Sequence, residues 1–119
     1  MSMTRTYAEV APTREEIDGL DGPVLLEFGT AWCGYCRAAQ PLIEQALAGH
    51  PGVRHIKVED GKGRALGRSF SVRLWPTLVF LLSGDVRAKL VRPDSAQAIE
   101  RALAELDAQS AAPGINGPA

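Results

Sequence analysis

The sequence predicts an α/β fold: a mixed central β-sheet, built from a βαβ unit joined to a ββα unit, with helices on both faces. Two observations carry this. Residues 24–28, 53–58 and 78–82 are short apolar or β-branched runs bounded by turn residues, the pattern of buried strands, and stretches of helical spacing separate them. Ser83-Gly84-Asp85 then reads as a hairpin turn into residues 86–91, which adds an antiparallel ribbon to a parallel crossover.

Taken in order, residues 6–10 are expected as a short strand. Thr13 and Glu16 have capping-box form, Ile17 and Leu20 give a short apolar face, and Gly19 with Gly22-Pro23 closes that helix. Residues 24–28 form a strand that is apolar except for Glu27, and residues 29–32 form a loop. From about residue 33 to 48, Leu42, Ile43, Ala46 and Leu47 recur at helical spacing until Gly49 and Pro51-Gly52. After the strand at 53–58, Gly61 and Gly63 open a turn before a short helix at 64–70. The wholly apolar run 78–82 fits a central strand buried on both faces. The last helix is expected to start at Asp94 with Gln97 as its capping partner, and Ile99, Leu103 and Leu106 form its buried stripe. The predicted order is β-α-β-α-β-α-β-β-α, with one domain over residues 1–108 and a flexible tail over 109–119 containing Pro113, Gly114, Gly117 and Pro118.

A chain of 119 residues, 45% hydrophobic, suffices for one domain with a real core. The net charge of −1, with scattered Lys and Arg, provides no basic patch for nucleic acid or an anionic membrane. No apolar run approaches the roughly 20 residues of a membrane span. Residues 1–10 lack the apolar stretch of a secretory signal, so the expected location is the cytoplasm.

The chemistry is expected at Trp32-Cys33-Gly34-Tyr35-Cys36-Arg37, which holds the only two cysteines. Closing so local a pair constrains little chain, which speaks against a structural staple. Residues i and i+3 at a helix start share one face at a separation that a disulfide spans. The free N–H groups and positive dipole end of the helix favour a thiolate at Cys33. Cys36, one turn in, is expected to be more buried and to attack the mixed disulfide that Cys33 forms. The competing readings are a pair of idle buried cysteines or half a zinc site, but zinc wants four ligands and no second pair exists. His50 and His55 read as surface or edge residues rather than ligands.

These residues resemble the thioredoxin family over about residues 6–108. The resemblance rests on Trp-Cys-Gly-x-Cys after an apolar strand with an acid, on Pro41 in the following helix, and on Pro76-Thr77 before the central apolar strand. It implies a thioredoxin fold with Pro76 in the cis form beside the cysteines. Neighbouring backbone groups would then be left to pair with a bound peptide, although a trans proline opening a strand is the simpler alternative. It implies that Pro41, which removes a hydrogen bond to the Arg37 carbonyl, is structural. It places Glu27, where the family more often has Asp, beneath the cysteines as a proton relay to Cys36, and Lys57 beside that acid; the alternatives are a Glu at a solvated strand end and a plain surface lysine.

The departures bear on specificity. Tyr35 stands where a proline is usual, which restores a backbone N–H expected to donate to the Cys33 thiolate and raise the reduction potential. Trp75 is bulkier than the usual residue before the proline and is read either as reshaping the substrate groove or as a plain packed aromatic, while Trp32 shields the site. Gly29 stands where many thioredoxins have a Trp, and Val91-Arg92-Pro93 replaces the usual glycine before the last helix.

The function implied is protein disulfide reduction by Cys33 and Cys36, needing no metal or organic cofactor. Disulfide-containing proteins are the substrates, a thioredoxin reductase or other thiol reductant is the electron donor, and the protein acts as a monomer. The alternative is a thioredoxin-like binding module whose cysteines gate or anchor a partner with little turnover. An oxidant or isomerase fits a reducing compartment less well.

Overall fold

The computed structural model describes residues 3–111. The elements run α1 (Arg14–Asp18), β1 (Pro23–Gly29), α2 (Gly34–Leu47), β2 (Arg54–Glu59), α3 (Ala65–Ser69), β3 (Thr77–Leu82), β4 (Asp85–Val91) and α4 (Ala96–Ala111). The four strands lie in the order β2-β1-β3-β4; β1 is parallel to β2 and antiparallel to β3, and β3 is antiparallel to β4. The mixed sheet is therefore as expected. Ser83 and Gly84 make the β3–β4 turn, both with positive φ (48° and 87°), as a two-residue hairpin needs.

Alternation along β1 divides the core. Leu25, with Leu78 and Phe80 of β3, packs under Ile43 and Leu47 of α2 and Ile99, Leu103 and Leu106 of α4. Val24, Leu26 and Phe28 face the other way, with Ile17 of α1 and Leu66 and Phe70 beside α3. Each such side chain contributes about 1.5–3 kcal/mol by leaving water. Glu27 shares the parity of Leu25 and so faces α2. In β2 the parallel register sets His55 opposite Leu25 and Lys57 opposite Glu27, so all three polar side chains reach the same layer.

Three expectations are corrected. Residues 6–10 form no strand: Val10 is 85% exposed, so the apolar residue that would anchor a strand has nothing to pack on. That segment instead meets β2 through one backbone bond, Ala8 N–H to Lys57 O at 3.0 Å. The cap of α4 is Ser95, whose hydroxyl accepts from Ala98 N–H at 3.2 Å, rather than Asp94 with Gln97. Helix α4 also continues to Ala111, beyond residue 108; the rest of the expected tail lies outside the described residues. The capping box of α1 forms as anticipated, with Glu16 N–H to Thr13 Oγ1 at 3.0 Å and Thr13 N–H to Glu16 Oε1 at 2.9 Å.

Candidate functional site

The chain leaves β1 at Gly29, turns through Thr30–Trp32 and enters α2 with Cys33 as N-cap. Cys33 Sγ accepts the N–H of Cys36 at 3.2 Å. The donor expected from sequence was Tyr35. An N-cap acceptor reaches the third helical N–H as readily as the second, and here that is Cys36. Both cysteines are free thiols, and Cys36 is the more buried, at 1% exposure against 8% for Cys33. Gly34 opens the helix, and Pro41 lies in α2 without ending it, on an exposed position where the Arg37 carbonyl loses only its helical partner.

Beneath Cys36 lies a polar network. Glu27 is fully buried; its Oε1 meets His55 Nε2 at 2.8 Å and its Oε2 accepts from Gln40 Nε2 at 2.8 Å. Gln40 Nε2 also donates to Cys36 O at 2.9 Å, which ties the acid to the helix carrying the thiol. Lys57 was expected against Glu27. It donates instead to Gln40 Oε1 at 2.9 Å and lies 4.4 Å over the Tyr7 ring, one residue removed from the acid. His55 Nδ1 accepts the backbone N–H of Thr4 at 2.9 Å. A backbone N–H can only donate, so Nδ1 carries no proton and Nε2–H is the donor to Glu27.

Gly29 matters for its size. A Cβ there would lie 2.5 Å from Cys36 Sγ and 3.1 Å from the Tyr7 hydroxyl, so the thiol and the phenol share the space a side chain would fill. Burial first, and then the hydrogen bond with Cys33 and the charge of Glu27, push the Cys36 thiol up to about 12, only partly offset by the Thr30 backbone. Tyr7 is likewise raised, by burial and by the charges of Glu27 and Cys36. A cleft of about 520 Å³ opens beside Cys36, lined by Tyr7, Thr30, Arg37, Gln40 and Lys57 among others.

The outer side of the pair is aromatic. Trp32 and Tyr35 are 71% and 61% exposed. Trp32 meets Trp75 edge-on at 5.6 Å between ring centroids, and Trp75 Nε1 donates to Asp60 Oδ2 at 2.8 Å. The Trp75–Pro76 peptide is cis, and Pro76 is buried. Arg92 spans the two halves: its guanidinium lies 3.9 Å over the Tyr35 ring, its Nε donates to Trp75 O at 2.8 Å, and its N–H donates to Pro76 O at 2.9 Å. Two backbone acceptors expected to be free beside Pro76 are therefore already engaged.

His55, Gln40, Tyr7 and Arg92 were not identified from sequence as site residues. The reading of both histidines as surface residues is corrected: His55, though on the edge strand β2, is 5% and His50 8% exposed. His50 lies between Asp107 and Glu100, its Nε2 2.7 Å from Glu100, and so joins the end of α2 to α4. Among the described residues no cluster of three or more His, Cys, Asp or Glu is placed to hold a metal, and no helix is long and apolar enough to cross a membrane.

Residues 8–105 match the family model described as Thioredoxin. "Thioredoxin Asp f 28" of Aspergillus fumigatus is 30% identical over 87 residues, covering 73% of this chain and 81% of that protein. "Thioredoxin-1" of Caenorhabditis elegans is 32% identical over 62 residues, covering 52% and 54% respectively. Among solved structures, thioredoxin 2 from Pseudomonas aeruginosa PAO1 in its reduced form superposes with a TM-score of 0.81 at 53% identity, covering 90% of this chain and 99% of that one.

Proposed function

The chain belongs to the thioredoxin family, whose members are thiol–disulfide oxidoreductases that carry their redox group in the polypeptide and need no cofactor, and from that premise we propose that it is a disulfide reductase with Cys33 attacking and Cys36 resolving. The observation that carries the assignment of roles is the asymmetry of the pair. Cys33 caps α2 on the side of the exposed aromatics, while Cys36 is the more buried thiol, on the side of Glu27.

The Cys33 thiolate attacks a substrate S–S bond, giving a mixed disulfide and releasing one substrate sulfur as a thiolate that takes up a proton. Cys36 then loses its proton and attacks Cys33 Sγ. The Cys33–Cys36 disulfide forms, the second substrate sulfur leaves and is protonated, and two electrons have passed to the substrate. A dithiol donor, such as a thioredoxin reductase, restores the pair. Burial holds the Cys36 thiol well above its usual range, so a base assists its deprotonation. Glu27, held by His55 and Gln40, takes that proton directly or through one water. Trp32, Tyr35, Trp75 and Pro76 flank the substrate, Gly34 and Pro41 shape the helix start, and Lys57 supports the acid through Gln40. The reductase direction suits a reducing compartment such as the cytoplasm, and the site is complete within one chain, which suits a monomer.

The test is insulin-disulfide reduction with dithiothreitol, comparing the wild type with Cys33→Ser. The wild type is expected to accelerate reduction and the variant to run at background; equal, background-level rates would instead favour a binding module.

A further inference from the structure

Arg92 is a non-glycine residue held at φ 50°, in the left-handed region that is unfavourable for an ordinary side chain. Such strain persists only where surrounding contacts over-determine it, and here there are three. The main chain of Arg92 is tied to Pro76 O, its Nε to Trp75 O, and its planar face lies on Tyr35. The guanidinium is thus fixed in position and orientation while Arg92 as a whole remains exposed. Its Nε is engaged, whereas among the described residues its two terminal nitrogens have no hydrogen-bond partner and no carboxylate pairs with it. Asp60 is bonded to the Trp75 indole, and Arg73, two residues before Trp75, is exposed.

The location is specific. Trp32 and Tyr35 flank Cys33 and Gly34, and their rings touch Trp75 and Arg92 respectively. A chain that brings a disulfide to Cys33 along the Trp75–Pro76 turn therefore passes this fork. A planar pair of N–H donors with a fixed stem matches a carboxylate, and preorganisation lowers the entropy lost on engaging it.

We propose that Arg92 forms a carboxylate subsite on the rim of the substrate groove, selecting disulfide partners that carry an Asp or Glu close to the cysteine attacked by Cys33. This rests on the reductase reading above. Arg92 acts on substrate choice and takes no part in the electron transfer.

The experiment uses three disulfide-linked peptides, identical except for Glu, Gln or Lys beside the cysteine. Their kcat/KM values are measured with the full-length wild type, Arg92→Gly and Arg92→Lys. Glycine accepts φ 50° without strain, so Arg92→Gly removes the guanidinium while sparing the turn. The wild type is expected to favour the Glu peptide over the Lys peptide by about fivefold to tenfold, with the ratio shrinking in high salt. Arg92→Gly is expected to bring the ratio within about twofold, and Arg92→Lys, which keeps the charge without the fork, to restore only part of it. Equal wild-type rates on the Glu and Lys peptides, or a preference unchanged in Arg92→Gly, would overturn the subsite while leaving the reductase reading intact. Failure of the wild type to reduce any of the three above background would overturn both.

Discussion

The two sides of the cysteine pair are built on opposite principles. Under Cys36 the polar side chains form a partnered network, Glu27 to His55 and Gln40, Gln40 to Lys57, His55 to the Thr4 backbone, with the buried Thr30 Oγ1 beside it left without a partner among the described residues. Around Cys33 the rings of Trp32 and Tyr35 stand in solvent, Trp32 edge-on to Trp75 and Tyr35 beneath the Arg92 guanidinium. In a low-dielectric interior a satisfied network is stable and specific, but one missing partner is costly. On an exposed face each contact is worth little alone, and substitutions change recognition more than folding. The inner side is therefore suited to proton handling and the outer side to choosing partners.

That contrast can be broken most severely at the inner side. Glu27→Gln keeps the shape and removes the base; resolution of a preformed mixed disulfide, followed by rapid mixing, is expected to slow about 10²-fold. In the variant the rate should climb steeply with pH, because Cys36 must then lose its proton to solvent, whereas the wild type should be flatter. An unchanged rate and slope would assign the proton to another group.

Next comes Gly29→Ala. Its methyl group would sit 2.5 Å from the Sγ of buried Cys36 and 3.1 Å from the Tyr7 hydroxyl. Denaturant unfolding should show a loss of about 1–3 kcal/mol, accompanied by slower resolution. A neutral effect would mean that Cys36 and Tyr7 shift freely.

His55→Leu leaves buried Glu27 Oε1 and the Thr4 N–H without their partner, a loss of about 1–3 kcal/mol by the same measurement. His55→Gln, which can donate to Glu27 again, is expected to recover much of the resolution rate. A purely packing role would be better met by Leu than by Gln, and the kinetics would then rank them in reverse.

The smallest effect lies away from both sides, at His50. Burial opposes its charge, but the bonds to Asp107 and Glu100 outweigh burial and raise its pKa above the usual 6.5. The charged form is thus favoured by folding. Its stabilisation is complete below about pH 6.5 and disappears as pH rises through the folded-state value. The stability difference between the wild type and His50→Gln should accordingly be larger at pH 5.5 than at pH 9, measured by thermal unfolding. A difference independent of pH would contradict the assignment.

Local signals explain what could be read from the sequence. The cysteine spacing, the apolar run at β3, the Ser83-Gly84 turn and the Thr13–Glu16 cap each depend on neighbours a few residues away, and each appears in the fold. Glu27 was legible because a lone acid stood in an apolar strand. His55 was not, since its meeting with Glu27 follows from the parallel register of β1 and β2, which local periodicity does not encode. Tyr7 was hidden for a similar reason: only the missing side chain at Gly29 marks the space it enters. Residues 6–10 misled because a β-like composition was taken as burial, while Val10 has no surface to cover. Arg92 did leave a trace, an arginine where glycine was expected, but its three contacts needed coordinates.

The division of labour between the cysteines is tested most directly by trapping. Full-length Cys36→Ser and Cys33→Ser are each incubated with the same disulfide-containing protein, and covalent adducts are resolved by non-reducing electrophoresis and mass. Cys36→Ser is predicted to accumulate a one-to-one mixed disulfide through Cys33, and Cys33→Ser to accumulate none. Equal trapping by Cys33→Ser, through Cys36, would contradict the account.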